Sequence, residues 1–234
     1  VRDLQKDPIV MWQHKYYLLL TIGLNFGIPL AFGLWHGDVV SSLLLVGFLR
    51  LVLSHHTTFF INSLAHIWGK QTYTEKNTAR DNAILAFFTF GEGYHNFHHI
   101  FENDYRNGIR WWHFDPTKWL IKGCYFIGLT KNLRKSPEDK VEKARLAMVF
   151  KRSQQKLAHH PEAEQLLAKL QTEYELLIQK INEFYAAKKQ VLAAKRDALI
   201  ADVENSELLS QYNEVKEKLA QQRKSWQFMV EKLA

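Results

Sequence analysis

The chain has 234 residues, with 31 Lys and Arg against 24 Asp and Glu, a formal net charge of +7 and a single cysteine, Cys124. That length allows one sizeable domain plus an extension. One cysteine excludes an internal disulfide framework and fits a reducing compartment. The basic excess suits anionic lipid headgroups or a phosphate-bearing substrate. It forms no long block and carries no nucleic-acid motif, which argues against a nucleic-acid partner. No secretory signal peptide is visible, and the sequence opens on Val1, so it reads as lacking its natural start.

Composition shifts along the chain. The first third is apolar and aromatic, and the last hundred or so residues are rich in Lys, Glu, Gln and Ala. Tyr16 to Trp35 is uncharged and has aromatic ends. Twenty helical residues span roughly 30 Å, the hydrocarbon thickness of a bilayer. After the turn His36-Gly37-Asp38, Val39 to Ile61 forms a second apolar stretch, interrupted by Arg50, Ser54, His55, His56, Thr57 and Thr58. Polar groups at membrane depth usually face protein or a functional cavity. The two stretches predict a transmembrane helical hairpin. Its turn has no Lys or Arg, while Arg2, Lys6, Lys15, Lys70 and Lys76 flank the outer ends, which places both ends in the cytoplasm.

Residues 66–135 mix Trp, Tyr, Asn and Gly and predict a compact helical cytoplasmic cap. Ser136-Pro137 ends it. Pro161, with Glu162 and Glu164 behind it, marks a helix start. Leu170, Tyr174, Leu177, Ile181 and Phe184 then step by four, three, four and three, with Leu192, Leu199 and Val203 continuing the stripe. An amphipathic extension over 136–234 follows, either helices folding back on each other or a coil that self-associates or binds a partner. The predicted fold class is all-α.

Two groups of residues carry chemistry. In Gly91-Glu92-Gly93-Tyr94-His95-Asn96-Phe97-His98-His99, spacings of three and four bring three imidazoles to one helix face. Neutral imidazole is a good iron ligand. In Asn62-Ser63-Leu64-Ala65-His66, at the end of the second span, Asn62 and His66 sit one turn apart, with His55 and Phe59 above them on that face. Glu92 could orient a ligand imidazole through its second nitrogen; its bland alternative is a loop residue near solvent. Phe59 could line an acyl channel or simply pack. His56 and His113 are more economically packing or hydrogen-bonding residues, with His56 a second channel candidate.

These motifs closely resemble those of the membrane acyl-CoA desaturases of the Δ9, stearoyl-CoA type. The resemblance runs from Val1 to Lys135. It includes Arg80-Asp81-Asn82, Glu102-Asn103-Asp104-Tyr105 and the run from Arg110-Trp111-Trp112-His113 to Trp119, while Asp3 to Pro8 resembles the stretch after the family's second histidine box. Beyond Pro137 it does not extend. It implies a diiron centre on the cytoplasmic face of a four-helix membrane domain, of which this hairpin is half. By resemblance His95, His98 and His99 are third-box ligands, His66 is an additional ligand, and Asn62 reaches iron through a water.

The implied reaction uses iron and dioxygen to introduce a double bond into a long-chain acyl-CoA or lipid-linked acyl chain. Electrons come from a carrier such as cytochrome b5 or a ferredoxin. The implied location is a multi-pass membrane protein, of the bacterial inner membrane or the endoplasmic reticulum. The family's two earlier histidine boxes are absent from these residues: His14, His36, His55, His56 and His113 lack the spacing, and His159-His160 has no third partner. The expectation is therefore an N-terminally truncated chain that neither holds two irons stably nor turns over substrate alone. Two alternatives stand beside desaturation: a lipid hydroxylase of the same histidine-box class, and a non-catalytic membrane-anchored interaction protein. Convergence of His66 and His95 is the discriminator against the second.

Overall fold

The computed structural model describes residues 4–158, 160–196 and 207–233. Helices are its only regular elements among these residues, and the chain divides into two compact units, one ending at Leu64 and the other beginning at Ala65. Asp3, His159, Leu199 and Val203 of the sequence reading lie outside the described residues.

The first unit opens with α1, Pro8–Lys15. The Asp7 carboxylate caps it, accepting from Ile9 N at 2.9 Å, and Pro8 fills the first turn, where no donor is needed. Two apolar helices follow: α2, Tyr17–His36, and α3, Val39–Ile67. These match the predicted spans in position and are long enough to cross a bilayer. Only 11% of each apolar window is buried, so Leu18, Leu34, Trp35 and Val40 present their side chains outward, as lipid-facing residues would.

Small residues set the hairpin's packing. A methyl group on Gly33 would come within 2.7 Å of the Val39 Cα, so the two backbones touch there. The Ser42 hydroxyl, 6% exposed, donates to the Pro29 carbonyl at 2.6 Å. Pro29 has no N–H for the Asn25 carbonyl, and the turn before it, Gly23–Gly27, widens into a π-helix. Farther along, α3 is π-helical over Ser42–Leu49. Directly after it the Arg50 Nε donates to the Val46 carbonyl at 2.9 Å, while its Nη2 reaches the Asn25 side-chain oxygen.

Ser63 leaves helical geometry at φ −122°, ψ −75°, and Leu64–Ile67 makes one more turn. In the second unit the cap is built from short elements: α4 Ala83–Phe88, α5 His95–Ile100 and α6 Pro116–Phe126. Isolated antiparallel bridges pair Lys70 with Asp81 and Asp81 with Tyr94. Side-chain caps begin two of the helices: Asn82 accepts from Ile84 N and Leu85 N, and Asp115 from Lys118 N.

The extension comprises α7 Glu138–Leu157, α8 Ala163–Arg196 and α9 Glu207–Lys232, which pack on one another. Leu146, Leu157, Leu170, Leu177, Ile181, Leu219 and Trp226 form its core, and Tyr174 and Phe184 pack against it. The chain therefore satisfies the stripe internally, by folding back. Past Phe184 the stripe shifts by one residue: Val191 is buried and Leu192 is 57% exposed. The extension is also tied to the cap. Lys151 pairs with Glu75, Arg152 donates to the Gln71 carbonyl, and Ser136 N donates to Asp104 at 2.8 Å.

Candidate metal centre

The site begins with a turn that tolerates no side chain. A Cβ on Gly93 would lie 2.1 Å from Ala86 N, and Gly91, at φ +108°, would drive one into the Asp115 carboxylate. The Gly-Glu-Gly segment thus lets the start of α5 lie directly on α4. Asp115, 0% exposed, accepts from the backbone N–H groups of Asn107, Gly108 and Lys118, each at 2.9 Å. The Lys118 ammonium caps the carbonyls of Gly108, Arg110 and His113. Burial lowers the Lys118 pKa, with the Asp115 charge opposing that effect.

On this platform His66, His95 and His99 converge, with one ligand nitrogen from each lying within 4.8 Å of the others. Nε2 of His95 is 3.1 Å from Nε2 of His66 and 3.1 Å from Nε2 of His99. His98 stands beside this set, its ring stacked 6.0 Å from that of His95. Asn62 ends the α-helical segment of α3, exposed, in the first unit. Phe59 and His56 lie on the same helix, their rings 6.4 Å apart. The Glu92 carboxylate accepts from Asn107 Nδ2 at 2.7 Å. His113 is stacked on Tyr94 at 4.4 Å, consistent with a packing role.

Two further residues that the sequence reading passed over position the set. Thr78 Oγ1 lies 2.9 Å from Nδ1 of His66. Asn96, 0% exposed, accepts from Tyr73 N and Thr74 N and donates to the carbonyls of Thr74 and Ala79, so its amide pins the loop that carries Thr78. Asn96 sits inside the histidine motif, but nothing in its spacing reveals backbone partners some twenty residues away.

Proton counting tests whether these residues suit a metal. If His66 donates Nδ1–H to Thr78, its Nε2 is a bare lone pair. A single Nε2 of His95 cannot at once donate to one neighbour and accept from the other in the ring plane. A cation accepting three lone pairs satisfies all three nitrogens, so the donor set fits a metal. Burial, then the charges of His99, His66 and His98, push the His95 pKa down to about 4, and burial also lowers that of His99. Both rings are thereby held in the neutral form that ligates. His95 Nδ1 is buried without a hydrogen-bond partner among the described residues.

The family model for fatty acid desaturases matches residues 2–132. The chain belongs to the fatty acid desaturase family. Its relatives include "Probable acyl-CoA desaturase" of Schizosaccharomyces pombe, 44% identical over 61% of this chain, and "Acyl-CoA desaturase 1" of Saccharomyces cerevisiae, 41% identical over 68%. "sn-2 palmitoyl-lipid 9-desaturase" of a Nostoc strain is 36% identical over 58% of the chain. The matched stretches cover 30%, 31% and 45% of those desaturases. The family match ends near the junction of cap and extension.

Proposed function

We propose that this desaturase-family chain serves an oxidoreductase that introduces a double bond, at Δ9, into a long-chain fatty acyl substrate carried as a CoA thioester or on a lipid. The observation that supports this reading is the convergence of Nε2 of His66, His95 and His99, fixed from behind by Thr78 and Asn96. A scaffold protein has no use for three imidazoles so placed, which weighs against the interaction-protein alternative. The NSLAH segment and the Arg110–His113 run favour desaturation over hydroxylation.

In this proposal His66, His95, His98 and His99 are iron ligands within a two-iron site, with Asn62 contributing through a water. When bound, the iron supplies dioxygen activation and the oxidising power that removes two hydrogens from neighbouring methylenes. The protein's own groups orient these imidazoles: Thr78 accepts from His66, and Glu92, held by Asn107, stands in the turn that leads into His95 as its candidate outer partner. Phe59 and His56, on a membrane helix, line the acyl channel. The desaturase part is 1–135, and 136–234 is an appended helical bundle. The protein is a multi-pass membrane protein with its catalytic face cytoplasmic, and it takes electrons from a small carrier such as cytochrome b5 or a ferredoxin.

Fatty-acid analysis by gas chromatography and mass spectrometry, on a desaturase-deficient host expressing the natural gene, tests the proposal. A new cis double bond that disappears in the His95→Ala variant is the expected result. A hydroxylated acyl chain without unsaturation rejects desaturation.

A further inference from the structure

We propose that the cavity between the cap and the extension is a binding site for a soluble phosphorylated small molecule of the nucleoside diphosphate class. The cavity measures about 930 Å3, within the size range of small-molecule sites, and His66, His95 and His99 do not line it. Its walls come from the cap and from all three helices of the extension, which belong to one compact unit.

The charge balance of those walls points to an anion. Five cationic side chains line the cavity. Two are already neutralised: Arg106 binds Asp104 through both nitrogens, and Arg223 binds Glu142 the same way. Lys70, Arg110 and Arg145 form no ion pair among the described residues. The lining acids do not offset them. Glu142 is taken by Arg223, and Glu138 by Lys188 at 2.6 Å. Asp81 accepts from Phe97 N, and the five cations still outnumber the three lining carboxylates. Three cations outside any ion pair among the described residues, against the single carboxylate of Asp81, leave the cavity with a positive excess that suits a diphosphate, and guanidinium forks suit its oxygens.

The remaining lining suits the rest of a nucleotide. Tyr73, Tyr94 and Tyr185 give an aromatic wall, and Arg110 rests 5.0 Å over the Trp112 ring, a flat cationic platform of the kind that stacks on bases. Burial pushes the phenols of Tyr73 and Tyr185 up to about 12, so both keep their protons, and the Tyr185 hydroxyl donates to Glu142 at 3.5 Å.

Isothermal titration of the detergent-purified full chain, with ADP and with inorganic pyrophosphate, tests the site. Saturable one-to-one ADP binding is expected, at least tenfold weaker in Arg110→Gln/Arg145→Gln and unchanged in Lys169→Gln, whose charge lies outside the cavity. Should the double variant fail to fold, ADP protection of Arg110 and Arg145 against phenylglyoxal in the unsubstituted chain gives the same answer. Absence of saturable binding at millimolar ADP, binding unaltered in the double variant, or failure to protect overturns the proposal. Retention on phosphatidylglycerol vesicles without nucleotide binding also overturns it and assigns these cations to a membrane surface.

Discussion

With Nδ1 of His66 set 2.9 Å from Thr78 Oγ1, a hydroxyl twelve residues away fixes which nitrogen of the imidazole is free. Outer partners of this kind typically carry 10–100-fold in metal affinity. Thr78→Val therefore should weaken Co(II) binding by about that factor, read by competition with a chromogenic chelator, whereas Thr78→Ser should retain wild-type affinity. Equal affinity in the Val variant would mean that Thr78 is a bystander. The same residues mark where sequence reading ends. His95 and His99 were legible because, with His98, they repeat one side chain at helical spacing, whereas His66 was legible only through Asn62 one turn before it and the family resemblance. Thr78, Asn96, Asp115 and Lys118 were not, because Thr78 meets the His66 ring, and the other three meet backbone groups, only where irregular loops bring them near, and such partners leave no periodicity.

At the scale of elements, the nonapeptide from Gly91 to His99 is a junction before it is a ligand set. Its second glycine sits against the Ala86 backbone, which cannot retreat as a flexible side chain could. Gly93→Ala should destabilise the cap by about 1–3 kcal/mol or more and draw His95 out of register with His66. A lowered melting temperature together with lost Co(II) absorbance in the variant checks this; a variant with an unshifted melt removes the junction role. The hairpin was readable from hydropathy because length and apolarity are local. Its wide π turns were not, since they answer to Pro29 and to contacts across the two helices. On α8 the 3.6-residue period carried the reading correctly to Phe184. Farther on, the choice between Val191 and Leu192 depended on which neighbour lay alongside.

Taken whole, the cap does not stand apart from the extension. Lys151–Glu75 and Ser136–Asp104 join them, and the extension has its own apolar core. Leu177→Ala, at a fully buried position, should cost about 2–5 kcal/mol and, because of these ties, lower the temperature at which the histidine site melts. Far-UV circular dichroism and Co(II) absorbance should shift together; a metal signal that survives loss of helix would show the two parts to be uncoupled. A different consequence attaches to the hairpin. An arginine at the centre of a lone span costs roughly 2.5–3.5 kcal/mol to insert, yet Arg50 finds the Asn25 oxygen on the preceding helix. In a bilayer, α2, which emerges first in synthesis, would carry that acceptor ahead of the charge, and the entry of α3 would then be the docking of a span onto a waiting partner.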